Sequence, residues 1–146
     1  SGDPSRFKFP RAMLKGRSLD FSFSGLKTAV LYVLEDLNEK DYPDVAASFQ
    51  EAVIDVLLHK LNWAIEDTEI KTLVCSGGVA ANRILRDRLK KMAKKKSFNV
   101  SYPSIEFCTD NAAMIAFAGY VRKKYNLRSY NTSFARPRWP LGELYD

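Results

Sequence analysis

The segment Ser76-Gly77-Gly78-Val79-Ala80-Ala81-Asn82 constrains this chain more than any other, because it joins an apolar run to a helical one. Leu73, Val74 and Cys75 read as a short buried strand, and Ile84, Leu85, Leu89 and Met92 then recur at helical spacing. A glycine pair at such a strand-to-helix turn lets the backbone approach a ligand without Cβ interference. The helix that follows offers unpaired N–H groups and a positive dipole end, which suits phosphate. Asn82, placed in its first turn, carries both an amide donor and an acceptor. A helix-starting Gly-Gly turn with no ligand fits the same letters equally well, so this segment alone does not choose.

A second motif lies downstream at Phe107-Cys108-Thr109-Asp110-Asn111-Ala112-Ala113-Met114-Ile115-Ala116. Thr109 or Asp110 reads as the N-cap of a small-residue helix running to about residue 125. That cap is the plain reading. In the functional reading Asp110 is a carboxylate at the mouth of a cleft, able to bind a metal or a metal-held phosphate. Ala112, Ala113, Ala116, Ala118 and Gly119 permit close packing, which would set the carboxylate on a rigid, well-buried helix.

Around these motifs the pattern is α/β. Residues 1–21 read as an extended lead-in, with Phe7, Phe9, Phe21 and Phe23 alternating with polar neighbours. Ser24 caps a helix to about residue 38, whose inner face carries Leu26, Val30, Val33, Leu34 and Leu37. After a turn at Asp41-Tyr42-Pro43 a long helix runs to about residue 67, with Val45, Phe49, Ala52, Val53, Val56, Leu57, Leu61 and Ile65 as its buried stripe. His59 falls on the polar side. Strand 71–75, basic helix 80–96, strand 98–102 and helix 110–125 follow, and a tail begins at residue 126, where Pro137 and Pro140 oppose helix.

Length and composition fit one domain: 146 residues, 46% of them hydrophobic, are enough to build a core. Two cysteines without metal-ligand spacing read as buried free thiols in a reducing compartment. No apolar stretch approaches the ~20 residues that span a bilayer. The net charge of +6 is concentrated. Arg83, Arg86, Arg88, Lys90, Lys91, Lys94, Lys95 and Lys96 crowd one helix; Arg122, Lys123, Lys124 and Arg128 form a second group, and Arg136 and Arg138 lie in the tail. A solvated helix face explains such runs, and so does a surface that tracks phosphates.

Three ordered segments carry a family resemblance: Leu19-Asp20-Phe21-Ser22-Phe23-Ser24-Gly25-Leu26-Lys27-Thr28, the Ser76–Arg83 segment and the Phe107–Ala116 segment. Together with Phe9-Pro10-Arg11 and Arg136-Pro137-Arg138-Trp139-Pro140-Leu141 they make the chain resemble TsaD, the tRNA adenosine threonylcarbamoyltransferase family, over nearly its whole length. In Ser22–Lys27 the plain account is a capping serine, and Lys27 is given no catalytic role. Members of that family are about twice as long and place a His-x-x-x-His metal pair in the N-terminal half. This chain has one histidine, and its first residues read as if cut from a longer protein, so it is expected to be the C-terminal half of the enzyme.

The resemblance implies the C-terminal subdomain of the actin/Hsp70/sugar-kinase-like (ASKHA, RNase H-like) superfamily, with residues 1–146 as one subdomain. It implies transfer of a threonylcarbamoyl group from threonylcarbamoyl-AMP to N6 of the adenosine beside the anticodon. It further implies one divalent metal ion (iron, zinc or magnesium) with Asp110 as this half's ligand, and substrate contacts at Asn82, Gly77 and Gly78. Arg83, Arg86, Lys90, Arg136 and Arg138 become tRNA contacts, and Trp139 a stacking candidate. Partners would be the missing N-terminal half and auxiliary proteins of the modification complex, in the cytoplasm and away from membranes. The isolated piece would be inactive. The rival readings are an ASKHA-type ATPase or phosphotransferase half, a non-catalytic RNA-binding module and, least favoured for want of His-Glu-x-x-His, a metalloprotease.

Overall fold

A computed structural model describes residues 2–127. The chain divides into two compact units, residues 1–108 and 109–146. The first unit runs α1 (Ser24–Glu35), α2 (Tyr42–Thr68), β1 (Thr72–Val74), α3 (Arg83–Lys96) and β2 (Asn99–Ser101), with short 3-10 turns at Glu39–Asp41, Gly78–Ala81 and Ile105–Phe107. The described part of the second unit is α4 (Ala112–Lys124) with its flanks. The α/β expectation therefore holds. Arg136, Arg138 and Trp139 lie outside the described residues.

The long helix α2 serves two cores at once. On one side Val45 and Ala52 pack with Phe9 and Leu26, and the inner face expected for α1 (Val30, Val33, Leu34, Leu37) closes over them. On the other, Ile54 packs with Leu85 and Leu89 of α3, joined by Leu57, Leu61 and Leu73. A single stripe cannot describe a helix contacted from two directions, so the expected stripe was incomplete. Ser48 and Ile54 are buried although unforeseen, whereas Phe49 is 40% exposed.

β1 and β2 pair in parallel with Leu73 opposite Val100, and α3 makes the crossover between them. This β–α–β order is what parallel pairing requires, since no short hairpin can join parallel strands. Each strand is shorter than expected, and the buried reading of β1 is corrected: Leu73 faces the α2–α3 core while Val74, pointing to the opposite face, is 70% exposed. α2 and α3 stop where the backbone turns left-handed. Glu69 (φ 55°) ends α2 and Ser97 (φ 57°) ends α3, where the Phe98 N–H returns to Ala93 O at 3.2 Å.

The lead-in is looped, not extended as expected, with left-handed backbone at Met13, Gly16 and Arg17. Side chains of α2 impose this path. Lys60, 1% exposed, donates from Nζ to Met13 O at 2.9 Å and Ser18 O at 2.6 Å beneath the Phe21 and Trp63 rings. Arg11 holds Asp55 at 2.9 Å, and Arg6 bridges Asp41 and Asp44, each at 2.6 Å. The alternating phenylalanines lack a partner strand; they stack locally as Phe7–Phe9 and Phe21–Phe23, each pair with centroids 6.2 Å apart. Two capping expectations also change. Phe23, not Ser24, occupies the N-cap of α1 without a side-chain bond, and Asn111, not Thr109 or Asp110, caps α4.

Lys60→Met should keep the buried stem yet leave two carbonyls unpaired. About 2–3 kcal/mol of stability is expected to be lost, with faster proteolysis near residues 13–18, as denaturant titration and limited proteolysis would report. Hydrogen bonds from Arg6 hold the Asp41 and Asp44 carboxyls below the ordinary 3.8. A depressed carboxyl stabilises the fold above its unfolded pKa and loses that effect as pH falls through the folded one. The denaturation midpoint should therefore drop below about pH 4 in the wild type, and drop less in Arg6→Ala, when urea titrations at pH 6 and pH 3 are compared.

Candidate functional site

The Gly-Gly turn has a backbone that its sequence dictates. Gly77 adopts φ 84° and ψ 173°, a conformation essentially confined to glycine. A Cβ added at Gly77 or Gly78 would meet no atom within 4 Å, so the space beside the turn is open. The chain then tightens into the 3-10 turn Gly78–Ala81, with Ala80 N–H donating to Gly77 O at 2.9 Å. The α-helix consequently begins at Arg83 and not at residue 80 as expected, and Asn82 is its N-cap and not a first-turn residue.

That role occupies the Asn82 amide on both sides. Its Oδ1 accepts from Leu85 N–H at 3.0 Å, and its Nδ2 donates to Gln50 Oε1 at 2.6 Å. One Nδ2 hydrogen and one Oδ1 lone pair stay available to a ligand. Gln50 was not singled out from the sequence. It lies 32 residues upstream on α2, and no local pattern links it to the turn. A cavity of about 290 Å³ borders this amide pair, with Phe49, Val53, Leu57 and Val79 as its apolar lining. A second groove of about 390 Å³, walled by Leu19, Phe21, Leu73 and Leu89, also reaches Val79 and Ser76. Two apolar clefts therefore flank a glycine turn that carries an amide paired with Gln50.

The basic helix separates into two populations. Arg88 is tied to Glu51 and, at 3.0 Å, to Asp55; hydrogen bonding to Glu51 raises its already high pKa. Lys96 pairs with Glu66 at 2.7 Å, and Arg86 spends its guanidinium on Ala80 O, Pro103 O and Cys108 Sγ. Arg83, Lys90, Lys91, Lys94 and Lys95 make no ion pair among the described residues, and Lys90 lies 5.9 Å from the Tyr102 ring centroid. The residues without ion pairs form the exposed cationic face.

Both cysteines are free, Cys108 buried and Cys75 half-buried. Burial raises the Cys75 thiol pKa, against the opposing charge of Arg86. His59 is exposed, its Nδ1 3.1 Å from Asp55 O, in keeping with a residue of the polar side.

In the second unit Asp110 is exposed, next to the Asn111 cap whose Oδ1 accepts from Met114 N–H at 2.9 Å. The well-buried helix expected behind Asp110 is corrected, since no residue of α4 is buried. An apolar helix needs a covering face, and no described element of its own unit supplies one. No group of three His, Cys, Asp or Glu among the described residues is arranged to hold a metal. Asp110 is an exposed hard oxygen donor, and the described residues do not make a metal site around it.

The first unit is an α/β domain with a parallel β–α–β unit and a glycine turn at its strand-to-helix crossing. The profile of the TsaD family, described as tRNA N6-adenosine threonylcarbamoyltransferase, matches residues 1–117. Proteins named tRNA N6-adenosine threonylcarbamoyltransferase are similar along almost the entire chain. The one from Herminiimonas arsenicoxydans is 47% identical over 98% of this chain and 44% of its own length. Those from Thermosipho africanus and Aromatoleum aromaticum are 48% and 50% identical, over 94% and 99% of this chain and 42% and 43% of their own. The chain belongs to the TsaD family. It spans less than half the length of these relatives.

Asn82→Ala should cost about 1 kcal/mol or more, because it loses both the cap and the partner of Gln50. Asn82→Asp keeps the acceptor for Leu85 N–H and, with the Gln50 amide turned to donate from Nε2, should cost less than Ala. Urea denaturation of the two variants checks this order.

Proposed function

We propose that the chain forms the C-terminal part of an enzyme that moves a threonylcarbamoyl group from threonylcarbamoyl-AMP to N6 of the adenosine adjacent to the anticodon in tRNA. Residues 1–146 serve as one subdomain of ASKHA type, supplying half of the active site. The observation that carries this reading is the Ser76–Asn82 turn. It combines a glycine-only backbone, open space beside both glycines and an amide held by Gln50, inside a chain that belongs to the family.

An exocyclic adenine amine is a weak nucleophile, because its lone pair is delocalised into the ring. Catalysis then rests on placing the two substrates and on polarising the carbamoyl carbonyl. Gly77 and Gly78 admit the nucleotide portion of the donor, and the spare Asn82 N–H orients it. Arg83 and Lys90, on the exposed face of α3, attract the tRNA backbone; Arg136 and Arg138 are assigned the same task from the family motif. Arg86 has its donors turned inward and acts on position instead. Asp110 contributes one ligand to a divalent metal whose other ligands lie on the N-terminal half. Such an ion, when bound, supplies Lewis-acid polarisation and charge neutralisation. The N-terminal half and auxiliary proteins complete the assembly. Among the described residues no helix is long and apolar enough to cross a membrane.

The unpaired cations of α3 also favour a second reading, a non-catalytic RNA-binding module. The two separate in one assay. The parent full-length enzyme with its partners, threonine, bicarbonate, ATP and unmodified tRNA should incorporate labelled threonine into tRNA. Asp110→Ala should abolish incorporation and leave the circular dichroism unchanged, because Asp110 is exposed and Asn111 provides the cap. Salt-sensitive tRNA binding without incorporation by the wild type would select the RNA-binding module.

A further inference from the structure

Arg86 is placed to hold the signature turn in shape. It lies one helical turn past Asn82, and its Nε donates to the carbonyl of Ala80, the last buried residue of that turn. From the same guanidinium, Nη2 donates to Pro103 O at 2.8 Å and to Cys108 Sγ at 3.0 Å. The guanidinium carbon stands 4.3 Å from the Tyr102 ring centroid. One side chain therefore ties the 77–82 turn to the segment leaving β2 through three acceptors and a stacking face. A planar fork reaches three diverging acceptors while stacking; a lysine ammonium offers no plane to stack and no fixed fork.

The turn needs such a tie. Its own bonds are short-range, Ala80 N–H to Gly77 O and Asn82 N–H to Val79 O, and Val79 is 63% exposed. Glycine at Gly77 and Gly78 widens the set of conformations open to the free chain. We propose that Arg86 is a positioning residue for nucleotide binding, fixing the backbone of residues 77–82 from behind without touching the ligand. The proposal rests on the reading that this turn holds the nucleotide portion of the donor.

The test is calorimetric titration of the full-length parent protein with AMP. Wild type is expected to bind, and Arg86→Lys to bind about tenfold more weakly, the effect of roughly one lost charge-assisted hydrogen bond. Arg88→Ala is the structural comparator. It removes the pairs with Glu51 and Asp55, so it should lower the melting temperature and leave AMP affinity unchanged. Arg86→Ala should regain affinity when guanidinium is added at millimolar concentration. Equal AMP affinity in wild type and Arg86→Lys would overturn the positioning role while leaving the nucleotide reading in place. Equal weakening in Arg86→Lys and Arg88→Ala would overturn it too, by reducing both to general stability. No AMP binding by wild type would remove the nucleotide reading and this proposal with it. If Arg86→Lys loses its fold, Tyr102→Leu is measured in its place, since it removes the face that Arg86 stacks on and keeps the three acceptors, with Lys90→Ala as the control for the second cation over that ring. A few-fold weakening is expected in Tyr102→Leu, and none would count against the proposal.

Discussion

Everything in the first unit depends on α2 being wetted by hydrocarbon on two sides. One side closes over Phe9 and Leu26 and the other over Leu85 and Leu89, so this helix is the common wall of both cores. A helix used twice has little solvent face left, and its polar residues must find partners along narrow seams. That constraint explains why Ser48 and Lys60 are buried and satisfied, and why no buried side-chain nitrogen or oxygen among the described residues is left unpaired.

The seams are where the three regions meet. Asp55 accepts from Arg11 of the lead-in and from Arg88 of α3, joining three segments through one carboxylate. These groups are about one-third exposed, so solvent screening keeps each pair modest, and their value is in fixing direction. Lys60 is different. Its ammonium is out of water, and the carbonyls of Met13 and Ser18 must curl toward it, which bends the lead-in away from an extended path.

The candidate site inherits its rigidity from the same helix. Gln50 sits beside Glu51 on α2 and reaches across to Asn82, so the amide at the end of the glycine turn is oriented by a core element. Arg86 approaches that turn from the opposite sequence direction, through Ala80. A turn built from glycines is thereby made specific by two side chains outside it. The exposed cations of α3 are those left over after Arg86 and Arg88 are engaged in part-buried contacts and Lys96 in a surface pair with Glu66.

The order of elements, the inner face of α1 and the Gly-Gly turn were legible in the sequence, because hydrophobic periodicity and the glycine backbone are short-range effects. The start of α3 was misplaced by three residues, since a 3-10 turn and a first helical turn use the same small residues. The fates of the cations, the burial of Lys60, the second core face at Ile54 and the Gln50–Asn82 pair were decided only by the tertiary structure. Each depends on groups far apart in the chain meeting across a packed interface, and the energy of such a meeting is written in neither segment alone.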